Sequence, residues 1–239
     1  MCGRYVLKRK DLEALMKELG VADPRDFVSR YNIAPGTVIP AIRTAASTGR
    51  EAVGLQWGLV PSWAKEAGGG ARLANARAEG IGAKPSFRDA FRKRRCVVPA
   101  SGFYEWQTVG RAKQPWYFAR RDDRPLALAG LWETWRSPEG AVLETCSLIT
   151  TAANAVVGAV HDRMPVILQG PGVDTWLDRA LTDPEKLQPL LAPFPAGAMT
   201  AIAVSSRVSH VRNEGPACLE PATIIPGGDD GPQLSLGLE

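Results

Sequence analysis

Cys2 lies directly behind Met1. Its side chain is small, so the initiator methionine is expected to be trimmed, leaving Cys2 at the N-terminus. An N-terminal cysteine carries two nucleophiles two carbons apart, an α-amine with a reference pKa of about 7.7–8.0 and a thiol near ~8.5. Both react close to neutral pH, unlike a lysine with a pKa near ~10.4. That pair suits an aldehyde above other electrophiles: the amine forms a Schiff base and the thiol closes a five-membered thiazolidine ring. Position alone leaves a blander reading open, an incidental cysteine inert in a disordered terminus.

Other residues bear chemistry too. Glu105 stands in the aromatic run Ser101-Gly-Phe-Tyr-Glu105-Trp106. Apolar surroundings raise a carboxyl pKa and make it a proton donor and acceptor near neutral pH; an exposed strand residue is the alternative. His161 is one of two histidines, and a lone histidine is more often structural than catalytic. Cys96, Cys146 and Cys218 are widely spaced with no C-x-x-C pair, so no zinc site, other metal or cofactor is expected. Cys96 and Cys146, flanked by apolar residues, read as buried thiols.

These groups need elements to hold them. A helix is expected over 11–19, with Asp11 as its cap, Leu12, Leu15, Met16 and Leu19 on one face, and Gly20 at its end. Strand-like runs follow at 38–45, 51–57, 96–99, 103–107, 115–120, 125–131, 142–151 and 200–204, each bounded by Gly, Pro or charge. Ser86-Phe87-Arg88-Asp89 has capping-box spacing and opens a short helix through Phe91. Helices are also expected at 173–181 and 184–191, the latter with Pro184 in its first turn. Phe91, Trp106, Trp132 and Trp176 are expected in the core. No regular βαβ rhythm appears, so one mixed α+β domain over 1–225 is expected, with 226–239 as a flexible tail.

The net charge is +4, yet residues 213–239 hold five acidic residues and no Lys or Arg, so the body is more basic than the whole. A basic body fits a polyanionic partner. The run Arg92-Lys93-Arg94-Arg95 either tracks such a backbone or is a solvated helix end. No signal peptide and no bilayer-spanning apolar run is evident, so a cytoplasmic, nucleoid-associated protein without membrane contact is expected.

Six segments, in order, resemble the SOS-response-associated peptidase (SRAP) family. They are Met1-Cys-Gly-Arg4, Arg30-Tyr-Asn-Ile-Ala-Pro35, Trp57-Gly-Leu-Val-Pro-Ser-Trp63-Ala, Asn75-Ala-Arg77-Ala-Glu79, the Phe87–Trp106 block and His161-Asp-Arg-Met-Pro165. The resemblance implies a single compact α+β domain with a bent, barrel-like, mainly antiparallel sheet and short flanking helices. It implies covalent capture of abasic sites in single-stranded DNA by Cys2, with Asn75, Glu105 and His161 as the other catalytic residues. His161 would help open the sugar ring, and Asn75 would hold the sugar or orient Cys2. Arg4, Arg77 and Arg163 become candidate phosphate contacts, and Asn32, Pro35 and Trp63 candidate DNA-contacting residues. A monomer is expected. One departure stands out: the family's usual asparagine in Val-Ser-x-x-Val-Asn is Ser209 here, which puts that residue's hydrogen bond in doubt.

Two other activities use the same residues. An N-terminal-nucleophile peptidase or amidohydrolase would direct Cys2 at an amide and need an oxyanion hole. A non-catalytic single-strand binder would use the aromatics and arginines alone. At the far end, Gln233-Leu-Ser-Leu-Gly-Leu238 resembles the short peptide with which bacterial repair proteins dock onto the sliding clamp. Folding back of the three leucines onto the body as an edge strand is the alternative.

Overall fold

The structure is a computed structural model that describes residues 2–22, 26–45, 49–68 and 73–223. Among the described residues, thirteen strands and five α-helices are arranged as follows. Strands β3 (Val38–Thr44), β4 (Arg50–Trp57), β6 (Arg95–Ala100), β9 (Leu126–Arg136) and β10 (Val142–Ala152) pair in the cycle β3-β4-β10-β9-β6 and close into a five-stranded barrel. Every junction is antiparallel except β4–β10, which is parallel. Three short strands flank the barrel: β5 (Asn75–Arg77) and β11 (Arg163–Pro165) on β10, and β12 (Ile167–Leu168) on β9.

A second sheet runs β13-β8-β7-β1-β2. Its strands are β1 (Tyr5–Leu7), β2 (Arg30–Ile33), β7 (Gly102–Val109), β8 (Ala112–Arg120) and β13 (Met199–Ala203). One face joins the main core through Phe103 and Phe118, whose rings stack 5.3 Å apart. The other covers a smaller cluster of Val6, Tyr104, Tyr117, Val204, Val208 and Cys218. Alternation along β7 thus gives two buried faces, as a sheet between two apolar layers requires.

β6 is buried along its whole length because α1 (Arg9–Glu18), α2 (Arg88–Lys93) and α4 (Pro171–Leu177) pack around it. Gly102 is needed where β7 begins beside β1. A Cβ there would run into the Phe118 carbonyl oxygen and the Tyr117 ring.

Several expectations change. Asp11 does not cap α1: the cap position is Lys8, without a side-chain bond, and Asp11 lies buried in the first turn. The Ser86–Asp89 capping box does not form, since Phe87 holds the cap position with no side-chain bond. α4 ends at Leu177, four residues short of the expected end. Pro184 does open α5 (Pro184–Leu187), which passes into a 3-10 turn over Gln188–Leu191. Phe91 and Trp176 are core, but Trp106 and Trp132 are only half-buried. Of the basic run, Arg95 is buried, and its guanidinium donates to the carbonyls of Phe91, Arg92, Trp176, Asp178 and Leu181. It is a structural staple and cannot track a backbone; Arg94 is paired with Glu133 at 2.6 Å. Cys96 and Cys146 are buried and unbridged, as expected. No helix among the described residues is long and apolar enough to cross a membrane. The expected tail and the segment 233–238 lie outside the described residues.

Candidate active site

Cys2 is fully buried, although it precedes the first strand. The chain behind it is woven into the second sheet: Tyr5 pairs with Phe103 on β7 and with Ile33 on β2. The Tyr104 amide donates to the Arg4 carbonyl at 3.0 Å, and the Ser101 amide to the Val6 carbonyl at 2.7 Å. The chain ahead of β1 thus runs back along β7, and Cys2 lies close enough to Glu105 to feel its charge. Burial is the main cause that pushes the Cys2 thiol well above its ordinary value; the Glu105 charge adds to it, while the Arg4 backbone amide opposes it.

Asn75 reaches the same point from the barrel side. β5 runs parallel to β10 with Asn75 opposite Leu148, and the Asn75 side-chain amide donates to the Cys2 carbonyl at 2.9 Å. Its Oδ1 is buried with no hydrogen-bond partner among the described residues. Behind it, Trp57 Nε1 donates to the Ala74 carbonyl at 2.8 Å, and Trp57 meets the Tyr5 ring edge-on at 5.5 Å. Cys2 and Asn75 are therefore fixed through the same pair of rings.

Glu105 is 3% exposed. Burial raises its carboxyl above the usual range, while His161 acts in the opposite direction and Asp162 adds to the rise. His161 follows the one-turn helix α3 (Ala155–Gly158), capped by the Asn154 side chain. Its Nδ1 accepts from the Arg163 amide at 3.0 Å and also lies 2.9 Å from Asp162 Oδ1. Nδ1 accepts in the first contact only when it carries no proton and donates in the second only when it carries one, so the two contacts are alternatives. Gln107, on the same strand and face as Glu105, donates to the Ala159 carbonyl at 3.3 Å and accepts from Trp116 Nε1 at 3.1 Å. It braces the turn that carries His161, a role that no local signal announced.

Cys2, Asn75, Glu105 and His161 are thus brought to one place, but the expected DNA contacts fall into two groups. Arg77 is exposed with no ion-pair partner among the described residues. Trp63 is 66% exposed, on a turn held by Trp135 Nε1 to the Ala64 carbonyl at 2.7 Å and by Ser62 to Glu133. Pro35 is half-buried at the start of the β2–β3 turn. The other three are engaged. Arg163 forms a two-pronged pair with Glu79 at 2.7 and 2.9 Å and donates to the Thr150 carbonyl at 2.6 Å. Arg4 donates to Asn32 Oδ1 and to the Val208 carbonyl, both at 2.8 Å. Asn32, 3% exposed, donates to the carbonyls of Val208, His210 and Asn213. Ser209 keeps a hydrogen bond, accepting from Trp106 Nε1 at 2.9 Å. Glu79 was visible inside the Asn75–Glu79 motif, but its partner lies 84 positions away.

Among the described residues no group of His, Cys, Asp and Glu could hold a metal ion. The arrangement gathers a thiol, a buried carboxyl and an imidazole around the N-terminal end of the chain, groups able to supply a nucleophile and to move protons.

A family model described as SOS response associated peptidase matches residues 1–211. The abasic site processing protein YoqW of Bacillus subtilis is 38% identical over 224 residues, covering 92% of this chain and 99% of that protein. The abasic site processing protein HMCES of Gallus gallus is 34% identical over 225 residues, covering 81% of this chain and 66% of its own. A crystal structure of a protein from Bacteroides thetaiotaomicron matches with a TM-score of 0.83 at 26% identity, over 93% of this chain and all of that one. With the fold, the order of motifs and these likenesses in agreement, the chain belongs to the SOS response associated peptidase family.

Proposed function

We propose that this protein captures abasic sites in single-stranded DNA as a covalent crosslink through Cys2. The observation that carries the reading is the buried Cys2, its carbonyl pinned by Asn75 and its thiol close enough to Glu105 to feel that charge. The names of the relatives, abasic site processing proteins, point the same way.

After Met1 is removed, the Cys2 α-amine attacks the aldehyde of the opened sugar, and His161 assists the ring opening. The carbinolamine loses water to give an imine, with Glu105 supplying the proton that lets hydroxide leave. The Cys2 sulfur then bonds to the imine carbon while its proton passes to the nitrogen, closing the thiazolidine. The net reaction releases one water. A neutral, buried thiol suits this addition better than it suits amide hydrolysis, which calls for a thiolate. Closure also withdraws the imine from β-elimination and strand scission, so protection of the lesion dominates. Trp63 and Pro35 stack against bases, Arg77 takes a phosphate, and Arg163 with Glu79 positions His161.

The test is incubation with single-stranded DNA carrying one abasic site, followed by denaturing electrophoresis and intact mass. A one-to-one adduct is expected, equal to protein from Cys2 plus DNA minus one water. Crosslinking by protein that retains Met1 would overturn the mechanism.

We also propose that Gln233–Leu238 docks on the bacterial sliding clamp, with Leu234, Leu236 and Leu238 in an apolar cleft, holding a monomeric enzyme at the nucleoid near exposed single strands. A labelled peptide of residues 229–239 titrated with clamp should bind in the micromolar range and lose binding in Gln233→Ala with Leu236→Ala. No binding at high clamp concentration would sink this reading.

A further inference from the structure

Arg4 and Asn32 resemble DNA-contacting residues, yet their polar atoms are spent on another part of the chain. That part is the segment from Ser205 to Asn213, built on a 3-10 turn over Ser206–Ser209. Arg4 donates to its Val208 carbonyl, Asn32 to the carbonyls of Val208, His210 and Asn213, and Trp106 Nε1 to Ser209 Oγ. Inside the segment, Asn213 Nδ2 donates to the Arg207 carbonyl at 2.7 Å, the Asn213 amide to the His210 carbonyl at 3.0 Å, and the Arg212 amide to His210 Nδ1 at 3.3 Å. Val208 anchors it in the smaller core.

What this scaffold displays outward is cationic. Arg207, His210 and Arg212 are exposed, with Val211 56% exposed between the last two. Among the described residues neither arginine has an ion-pair partner. The neighbouring acid, Glu214, is exposed and spends one oxygen, Oε1, on the Tyr31 and Gly215 amides. Val208 and the carbonyls that satisfy the buried Asn32 tie the segment to the fold, and the same ties hold Arg207 and Arg212 in place. Groups displayed on a rigid scaffold meet an outside partner at a lower entropic cost. The segment is tied to Arg4, two residues from Cys2, and to Trp106, next to Glu105, so it packs against the sheet that seats the cysteine, on the face opposite Glu105.

We propose that the 205–213 segment is a second DNA contact, in which Arg207 and Arg212 grip the sugar–phosphate backbone of the strand flanking the abasic nucleotide. Arg4 and Asn32 serve DNA through it, as its internal supports. This rests on the reading of the chain as an abasic-site enzyme. It locates the contact in residues that no motif singled out.

The test uses the full-length protein and a fluorescent single-stranded oligonucleotide bearing a tetrahydrofuran, an abasic analogue with no aldehyde. Binding is then measured apart from crosslinking, and a failure of the covalent mechanism leaves the result standing. Arg207→Ser with Arg212→Ser should weaken binding at least about tenfold at low salt. It should also reduce the slope of log affinity against log salt by about 1.4, the value for two phosphates on a single strand. The pair Lys10→Ser with Lys17→Ser, exposed on α1, controls for net charge and should bind as the parent does. Asn32→Ala, which removes support but no charge, should also weaken binding. Parent-like affinity and slope in the double arginine variant would overturn the proposal, as would an equal loss in the α1 control.

Discussion

The Asn75 side-chain amide donates to the Cys2 carbonyl at 2.9 Å, while the other end of the same amide, Oδ1, is buried without a partner among the described residues. In the proposed mechanism this acceptor is placed to receive a hydrogen bond from the Cys2 α-amine or from a sugar hydroxyl. Asn75→Ala should therefore slow crosslinking at saturating DNA by about 10²-fold, the usual scale when a reacting group is misplaced by an ångström. Asn75→Asp, which loses the donor, should not restore it. Single-turnover rates on a natural abasic oligonucleotide measure this, and parent rates in Asn75→Ala would remove the residue from the mechanism.

Glu105 links the rate and the stability to pH. Burial raises its folded pKa above the unfolded value, so folding favours the protonated carboxyl. The stability that Glu105 contributes is full below the unfolded pKa and is lost as pH rises through the folded one. Glu105→Gln removes that loss. Its melting temperature should exceed the parent's above the folded pKa and lose the advantage toward acid. Capture should slow by about 10²–10⁴-fold, the range for lost proton transfer. A variant that melts below the parent at neutral pH would contradict the sign.

The Gln107 amide can point only one way, because Trp116 Nε1 donates and the Ala159 carbonyl accepts. Gln107→Glu keeps the shape and the bond from Trp116, but sets a carboxylate oxygen against the Ala159 carbonyl. Capture should fall about tenfold near neutral pH and recover on acidification, once the new carboxyl is protonated and donates. A rate profile from pH 5 to 8 that parallels the parent's would show that Gln107 does not position the His161 turn.

Arg95 is a guanidinium buried among carbonyls, with its pKa pushed down to about 10 by burial. Arg95→Met leaves several buried carbonyls bare, at about 1–3 kcal/mol each. Denaturant midpoints should therefore fall sharply, by the equivalent of about 3 kcal/mol or more. Arg95→Lys should recover only part, since an ammonium has three donors without the planar fork. A loss under about 1 kcal/mol would mean that water satisfies those carbonyls.

Much of this fold was readable before any coordinates. The eight strand-like runs became β3, β4, β6, β7, β8, β9, β10 and β13, because each is long enough to alternate and is punctuated at its ends. β1, β2 and β5, three or four residues each, carry no periodicity and exist through their neighbours. The pairing that seats Cys2 beside Glu105 is therefore invisible locally. The same limit explains Arg4 and Asn32: their motifs are plain, but Arg4 bonds to a carbonyl 204 positions away. Asp11 failed as a cap because burial of the first turn of α1 against the sheet outweighed a local preference for Asp at that position.

The placement of Cys2 three residues ahead of β1 has a mechanical consequence. β1 lies between β2 and β7, bonded to both. In the crosslink proposed above, a pull on the DNA would reach the fold through Cys2 and then through β1. Bonds on both sides then bear the load together and in shear, instead of parting one after another as in a peeled edge. The proposed adduct would thus be moored by an interior strand of the second sheet, with the body of the protein as an anchor against traffic on the strand.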